Sequence, residues 1–596
     1  MKKFFKGIAG MLLLFGIIAC GPGQKKSEQA GKNVDNLLFP MTYESNEKEI
    51  KGGTFKIGVI NSTPIKGIFS GLLQLDAVDR YFTQDTIDPE LFSIDGNFMV
   101  TDQGLAKIDI DVDNKVVTFT LRDNLKWDDG EPLTVDDYIF TYEVLAHPDY
   151  TGVRFDEGMQ QVVGIKEYNK GKAKSISGLE KISDTVLKIH FNEMSPAMRT
   201  GAGGLTSILA PKHQLKDIPV KDLEKSEAIR LHPVGAGPYK VSQVIPGESV
   251  EFVPNPYYFR TEKPRVDKMV IKVVPDSSAL SSIKNGEYDA YRNVTEDLYV
   301  EYKEFDNIQI LGTPALYYQY LGFNLGHWDK NKGENIVDPN AKMADINLRK
   351  AMGYAMDVET VNTSFYHSLR TRANSPIPPI FEEIYNDVKR YSYNPEKAKE
   401  ILDKSGYKDV DGDGYREDKN GKPLEIFFAM PAGGDVAEPI SQQYIQNWAK
   451  VGLKVSLTSG RLLDGNSFWD KIESNNKSVD VWIAAWGVGS EFDLNGLYGK
   501  KSAFNFSRVT TEKNEKLIKK ISSAETLKDK ELWIKLIREW DENYMNEVLG
   551  FLPIGFRYEL TPINKRVKFF TVSLDRNVKV GKYDALTSQN AYKSTK

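Results

Sequence analysis

The segment from Val479 to Asp493, VDVWIAAWGVGSEFD, restricts the possible fold more than any other part of this sequence. Its apolar residues alternate with small or polar ones, which is the period of a β-strand. Gly487 and Gly489 follow, and because glycine is unfavourable inside a helix, we predict a strand that ends in a glycine-rich turn. Tryptophan, bare main chain and carboxylates at such a strand end could contact a zwitterionic ligand with variable side chains, such as a peptide. A buried strand with a glycine turn and solvated acids accounts for the same residues.

Length and charge narrow the class of protein. The chain has 596 residues, several times the size of a typical domain, so we expect more than one hydrophobic core. Its composition, with 40% hydrophobic and 27% charged residues, is that of a soluble globular protein. The formal net charge is −5 and the basic residues are dispersed, which argues against a nucleic-acid partner.

The first 19 residues are predicted to be an export signal. Basic residues precede an apolar run, residues 8–18, that is too short to cross a bilayer. Ala19 before Cys20 resembles the lipobox of bacterial lipoproteins, in which the cysteine is acylated and becomes the first mature residue. A stray cysteine at the end of a signal peptide is the alternative.

Cys20 is the only cysteine of the chain, so intrachain disulfides are excluded. Residues 20–50 are rich in Gly, Lys, Glu, Ser and Asn with little apolar periodicity, and we predict a flexible tether there. Together these features predict a protein of the cell envelope. Acyl chains on Cys20 would hold it to a lipid bilayer, with its body outside the cytoplasm.

The segment RDNLKWDDGEPLTVDD, residues 122–137, predicts a turn and the start of a helix. Asp129 before a glycine is a turn signal, and Thr134 with Asp137 three residues later resembles a capping box. No partner base lies near Asp128 or Asp129 in the sequence, so we predict structural rather than catalytic acids.

Other local patterns predict further elements. Alternating apolar residues predict strands, and apolar residues at helical spacing predict helices, one of them capped by Asn394 and begun by Pro395. The strands are predicted at Phe55–Val59, Val116–Leu121, Val186–Phe191, Tyr239–Val244 and Lys268–Val274, and a helix at Leu348–Met356. Between them, PVGAGPY at residues 233–239 predicts one fixed irregular loop.

Nine sequence blocks follow one another in a fixed order across nearly the whole chain after residue 20. They are VVTFTLRDNLKWDDGEPLTVDDYIFTYE, HPVGAGPYKV, FVPNPYYF, SIKNGEYDAY, LGFN, INLRKAMGYAMDVETV, YNPEKAKEILDKSGYKDVDGDGYRE, LYGKKSAFNFSR and LTPINKRVKFF. These blocks resemble the family 5 extracellular solute-binding proteins, the peptide-binding components of ABC importers. The LYG…FNFSR and PINKRVK segments are most similar to the oligopeptide-binding lipoproteins of Gram-positive bacteria.

The resemblance implies an α/β fold of the periplasmic-binding-protein-like type II class, with two lobes that close about a hinge and an extra third domain. Lobe I would comprise residues 51–89, 208–273 and 552–596, the extra domain residues 90–207, and lobe II residues 274–551. The chain would cross between the lobes near Val270–Val274 and again near Leu552–Phe556.

The resemblance also implies a site. Trp486, Gly487 and Val488 would provide main-chain hydrogen bonds to a peptide, and Asp493 would accept the peptide α-ammonium, with Glu491 as the competing acid. The expected partners are an oligopeptide and the permease subunits of an ABC importer. A monomer without a cofactor is expected.

The segment from Asp409 to Asn420 resembles a calcium loop. Three aspartates at positions 1, 3 and 5 precede a glycine at position 6, but Asn420 replaces the bidentate acid expected at position 12. We therefore favour an Asp-Gly loop whose carboxylates bind its own main chain, with a structural calcium ion as the alternative, and predict no metal site.

An enzyme is not expected. The sequence contains no G-x-S-x-G, H-E-x-x-H, Walker A or G-x-G-x-x-G motif, and its six histidines are scattered. Two alternatives remain open. The same fold could bind a nickel chelate, haem or a sugar, or the protein could be a surface peptide receptor or adhesin without a role in transport.

Overall fold

The computed structural model of the protein describes residues 38–61, 63–489, 494–572 and 585–596. The predicted signal peptide, Cys20, Glu491 and Asp493 lie outside these residues. Within the described ranges, no helix combines the length and the apolar character needed to cross a membrane.

The described residues form a mixed α/β structure, as predicted. The strands are β1 Thr42–Glu44, β2 Thr54–Ile60, β3 Ser93–Ile94, β4 Val100–Thr101, β5 Ala106–Asp111, β6 Val116–Leu121, β7 Leu179–Lys181, β8 Val186–His190, β9 Tyr239–Ile245, β10 Ser249–Pro254, β11 Lys268–Val274, β12 Ala290–Arg292, β13 Ile308–Pro314, β14 Tyr317–Phe323, β15 Gly326–Asp329, β16 Glu334–Val337, β17 Arg370–Thr371, β18 Glu425–Ala429, β19 Lys454–Leu457, β20 Val481–Gly487, β21 Phe551–Asn564 and β22 Phe569–Thr571. The strands predicted from alternating residues are confirmed to within two residues.

The helices are α1 Ala77–Arg80, α2 Val135–Leu145, α3 Ile165–Asn169, α4 Lys212–Leu215, α5 Glu227–Arg230, α6 Ala279–Asn285, α7 Tyr299–Tyr302, α8 Ile346–Ala355, α9 Val358–Tyr366, α10 Pro395–Lys404, α11 Ala437–Ala449, α12 Gly465–Glu473, α13 Asn495–Tyr498, α14 Glu512–Ile521, α15 Ala524–Lys528 and α16 Lys530–Asn543. Two predicted N-caps are confirmed. Thr134 and Asp137 form a capping box, and the Asn394 side chain accepts the N–H of Lys397.

A 12-stranded sheet organises the fold. Its order is β19-β18-β20-β14-β21-β12-β2-β11-β10-β9, with β13 and β17 also paired to β21. We call β19, β18, β20 and β14 the β20 half of this sheet. The strands β13, β12, β2, β11, β10 and β9 form the β2 half. A four-stranded antiparallel sheet, β5-β6-β8-β7, lies apart from it.

The long strand β21 joins the two halves. Its first part pairs with β14 as far as Gly555, and from Tyr558 onward it pairs with β13. The second connection is the short link from Pro314 to Tyr317, between β13 and β14. Two adjacent connections of this kind allow one half to move against the other about a hinge.

Residues 290–314 pair on the side of β2, whereas we predicted that lobe II begins at residue 274. Arg292 of β12 is in parallel register with Val59 of β2, so the chain does not leave the β2 half after β11. A division at the link between β13 and β14 would therefore move residues 274–314 into lobe I. The domain boundaries, including this one, stay predictions.

Separate clusters of buried apolar side chains support the parts of the fold. Core A lies around β14, β18 and β20 with helices α8 to α12 and α16, and core B lies around the four-stranded sheet with α2. Core C surrounds β2 and β9 to β11, and core D packs beneath β12 and α6. Several cores are what the chain length predicted.

Several contacts join the region of residues 90–207 to Phe381 and helix α15. Leu527 of α15 is buried within core B, and the Phe98 ring lies 5.2 Å from that of Phe381. The Arg199 guanidinium donates a hydrogen bond to the Leu527 carbonyl, and Lys528 forms an ion pair with Asp113. These contacts hold the region of residues 90–207 against Phe381 and α15.

The end of the predicted tether is bound to the body of the protein, which corrects that prediction for residues 38–50. Strand β1 pairs with β22, with Tyr43 opposite Phe570, and the N–H of Ile50 donates to the carbonyl of Leu586. The Phe39 ring lies 5.6 Å from Tyr299. Main-chain pairing with a distant strand leaves no short-range pattern, so the sequence did not indicate it.

Candidate functional site

At the end of strand β20, main-chain groups of alternate residues point away from the neighbouring strand β14. It runs antiparallel to β14, with Gly487 opposite Tyr317, and the N–H of Val488 donates to the Leu316 carbonyl at 2.9 Å. Residues of an antiparallel pair alternate between bonding their partner and pointing away from it. Because Val488 bonds toward β14, Ala485 and Gly487 direct their N–H and C=O groups to the opposite side.

That opposite side is open along the last residues of β20. Strand β18 pairs there only with Val481 and Trp482, and no described strand pairs with Ala485 to Gly487 on this side. Gly487 is exposed, and a Cβ atom at this position would meet no atom within 4 Å. The open edge, defined as Ala485–Gly487, can accept an extended chain as an additional strand.

The Trp486 side chain supports this edge from one face of the sheet. Its ring stacks on Phe506 at 5.4 Å and on Tyr320 at 6.1 Å, with Trp469 6.4 Å away. Its indole N–H is buried and has no hydrogen-bond partner among the described residues. Aromatic packing of this kind fixes the strand end in position.

The FNFSR segment, residues 504–508, provides part of that packing. Arg508 is buried and donates to the side-chain oxygen of Asn475 at 2.8 Å and to the carbonyl of Ala503. Burial lowers the pKa of Arg508 to about 10. The arginine thus holds the segment in place, and Phe504, 47% exposed, lies edge-on to Trp486 at 6.2 Å.

The predicted site residues differ in how exposed they are and in whether their main-chain groups are free to bind a ligand. Gly487 is exposed, the Val488 N–H is bound to the Leu316 carbonyl in the link before β14, and the Trp486 ring packs against core A. Glu491 and Asp493 follow in the sequence but lie outside the described residues. The ligand-binding role of these five residues stays a prediction.

A cluster of charged and tyrosine side chains at the junction of the two halves was not predicted. The guanidinium carbon of Arg557 lies 4.2 Å from the ring centroid of Tyr317, and the Tyr81 hydroxyl donates to Glu559 at 3.2 Å. Burial raises the pKa of Tyr81 to about 12, and the nearby Glu559 carboxylate adds to this shift. Residues so far apart in sequence gave no signal that could have grouped them.

The aspartates of the calcium-like loop bind their own main chain, as predicted. Asp409 accepts the N–H groups of Gly412 and Gly414 at 2.7 and 3.0 Å, and Asp413 accepts that of Tyr415. Carboxylate oxygens of Asp409, Asp411 and Asp413 lie within 4.8 Å of one another, and all three residues are exposed.

A cavity with about 570 Å³ of empty space, partly open to solvent, lies between residues 96–99 and 380–384. Pro196, Arg199 and Trp533 also line it, and it includes none of the predicted site residues. It follows the contact between core B and the β20 half, so it belongs to the packing of these regions and not to the open edge.

A sheet divided by one shared strand, with an unpaired strand edge beside the division, defines a two-lobed binding protein. The chain belongs to the bacterial extracellular solute-binding proteins, family 5, whose model for the middle region matches residues 102–508. It is therefore a member of a solute-binding family that acts outside the cytoplasm. The predicted fold class and family are confirmed.

Named relatives agree with this assignment. The chain is 34% identical over 563 residues to the oligopeptide-binding protein OppA of Lactococcus lactis subsp. lactis, covering 93% of both. The structure of lactococcal OppA, complexed with an endogenous peptide in the closed conformation, matches with a TM-score of 0.81 and 32% identity. That match covers 90% of this chain and 100% of lactococcal OppA.

More distant structures share the fold. AppA from Bacillus subtilis, in complex with a nonapeptide, matches with a TM-score of 0.69 at 22% identity, covering 90% of this chain and 98% of AppA. NikZ from Campylobacter jejuni, in complex with Ni(L-His), matches with a TM-score of 0.67 at 24% identity, covering 87% and 95%.

Proposed function

We propose that this protein captures oligopeptides outside the cytoplasm and delivers them to an ABC importer. The open edge of β20 carries the proposal, because it offers unpaired main-chain groups beside the junction of two halves. The similarity to peptide-binding OppA over nearly the whole chain supports the same ligand class. Closure of the two halves over the peptide would give the importer a distinct state to recognise.

Main-chain recognition explains how one site could accept many sequences. Each hydrogen bond to the peptide backbone contributes about 1 kcal/mol and does not depend on the peptide side chains. Asp493 or Glu491, which follow the edge in the sequence, would pair with the α-ammonium and so set the position of the peptide. In this role the protein is a non-catalytic, monomeric carrier whose partner in the membrane is the permease.

We predict that Gly487→Pro weakens peptide binding about fivefold, because proline removes one N–H donor worth about 1 kcal/mol from the open edge. The Gly487 N–H points away from β14, so the substitution removes no bond of that ladder. The measurement is calorimetric titration with a nine-residue peptide of uncharged side chains. The same titration with the N-acetylated peptide tests the role of the α-ammonium.

Gly487→Ala is the matched control. It keeps the N–H and adds a methyl group where no atom lies within 4 Å, so its affinity should equal that of the wild type. Equal affinities of the proline and alanine variants would exclude the open edge as the peptide site. If the wild type binds no peptide of any length from three to twelve residues, the proposed function itself is wrong.

We also propose that Cys20 is acylated and holds the protein to a membrane. A basic and apolar leader followed by Ala19-Cys20 supports this, and each buried methylene contributes about 0.8 kcal/mol to membrane binding. Cys20→Ser is expected to move the protein from the membrane to the soluble fraction, as measured by fractionation and blotting. A variant that stays entirely in the membrane fraction would refute the lipid anchor.

A further inference from the structure

Arg557 is a half-buried arginine whose side chain has no hydrogen bond and no ion pair with any described residue. Its Nε atom is buried and lacks a partner. The adjacent Arg370, opposite Arg557 on β17, is instead paired with Glu296 at 3.2 Å. A half-buried guanidinium that forms no ion pair is more favourable when a ligand supplies an anion in direct contact with it.

The backbone holds Arg557 at the junction of the two halves. It lies on β21 where that strand changes partner, and its carbonyl accepts the N–H of Ala315 at 3.0 Å. The guanidinium carbon lies 4.2 Å from the centroid of the Tyr317 ring, which orients the planar group without using its N–H donors. The side chain is therefore positioned, and its donors remain available.

Arg557 also lies within reach of the open edge. Tyr317 is directly opposite Gly487, and Arg557 is on the next strand beyond β14. A peptide strand added at the open edge would lie three strand spacings from β21, about 14 Å between main chains, which roughly four extended residues would span. A residue further along a peptide bound at the open edge could thus contact Arg557.

The acid closest to Arg557 on its own strand does not neutralise it. Glu559 accepts the Tyr81 hydroxyl, and no ion pair joins Glu559 to Arg557. The guanidinium fork matches a carboxylate, which can accept two parallel N–H bonds. The missing partner is therefore expected to be a carboxylate carried by the ligand.

We propose that Arg557 binds a carboxylate of the captured peptide and is a specificity-determining residue of the cleft. This proposal rests on the proposed peptide-binding function. The carboxylate is either the C-terminus of the peptide or an acidic side chain, and both present the same chemistry to the guanidinium.

The test compares three kinds of nine-residue peptide by calorimetric titration. One has uncharged side chains and a free C-terminus, the second is its C-terminal amide, and the third is a set of amides with one glutamate at successive positions. We expect the wild type to bind the free acid about tenfold to hundredfold more tightly than the amide if the C-terminus is bound. If an acidic side chain is bound, one of the glutamate amides should show that gain instead.

Arg557→Met, which keeps the apolar stem, should remove this preference while it binds the uncharged amide as the wild type does. Arg557→Lys, which keeps the charge but not the fork, should retain only part of the preference. A wild type without any preference for a carboxylate, or a preference that persists in Arg557→Met, would overturn the proposal. If only the melting temperature of Arg557→Met changes, Arg557 serves packing against Tyr317 and the proposal is wrong.

These outcomes are separable from a failure of the proposed function. If no peptide binds the wild type, the peptide-binding function fails, and the role of Arg557 fails with it. If the amide binds the wild type and the Arg557 variants alike with no carboxylate effect, the function stands and only the role of Arg557 is refuted.

Discussion

Arg566→Met is expected to lower the free energy of unfolding by about 3–5 kcal/mol, because it leaves a buried carboxylate without its cation. Asp289 is 0% exposed and the Arg566 side chain 5% exposed. The guanidinium binds both carboxylate oxygens, with Nη2 2.8 Å from Oδ2. Asp289 also accepts the N–H of Lys56 at 2.8 Å, so the carboxylate cannot move to water without breaking β-sheet contacts.

The same arginine also fixes the C-terminal segment. Its Nη1 donates to the carbonyls of Ser588 and Gln589 at 3.1 and 2.6 Å, which adds bonds that the variant would lose. Urea denaturation monitored by tryptophan fluorescence measures the effect. Arg461→Met, at an exposed arginine, is the control and should stay within about 0.5 kcal/mol of wild type. A loss below 1 kcal/mol in Arg566→Met would show that Asp289 is compensated in another way.

Asp128→Asn is expected to stabilise the protein above pH 7 by about 2–4 kcal/mol and to have little effect near pH 4. Asp128 is buried, and its Oδ2 accepts the N–H of Gly235 at 2.9 Å, while its own N–H donates to the Gly235 carbonyl. Burial raises the pKa of Asp128 to about 7. Asparagine can keep the accepted hydrogen bond without the cost of a buried charge.

The direction of this pH dependence of stability follows from proton linkage. A carboxyl whose pKa is raised in the folded state binds its proton more tightly there than in the unfolded chain. Its contribution to stability is therefore full below the unfolded pKa near 4 and is lost as the pH rises through about 7. Asp128→Asn removes this dependence, so the difference in unfolding free energy between variant and wild type should grow between pH 4 and pH 7.

Denaturation curves for both proteins between pH 4 and pH 8 provide the measurement. Asp123→Asn, at an exposed carboxylate in the same segment, is the control for a change of one charge. A difference between Asp128→Asn and wild type that stays constant over this range would mean that Asp128 is ionised throughout. In that case the Gly235 N–H compensates the carboxylate more strongly than burial penalises it.

Much of the local structure could be predicted because it depends on neighbouring residues. The capping box at Thr134 and the cap at Asn394 follow from side chains that reach their own helix start. The sequence also indicated structural acids around Asp128, although it did not show that this residue binds the PVGAGPY loop through Gly235.

Pairing between distant strands could not be predicted from local patterns. The division of β21 between β14 and β13 depends on contacts over more than 200 residues, and so does the placement of residues 290–314 beside β2. The candidate site shows the same limit. The glycine turn after β20 indicated Gly487, whereas Arg557 and Tyr317 meet only because β21 and β14 are adjacent in the sheet.

The pairing of β1 with β22 determines which half of the protein would be attached to a membrane anchor at the N-terminus. Strand β1 is joined to the β2 half of the protein, where Phe570 packs in core C. If Cys20 is acylated, the β2 half would be the half attached to the membrane. The β20 half, which carries the open edge, would then move relative to it during closure.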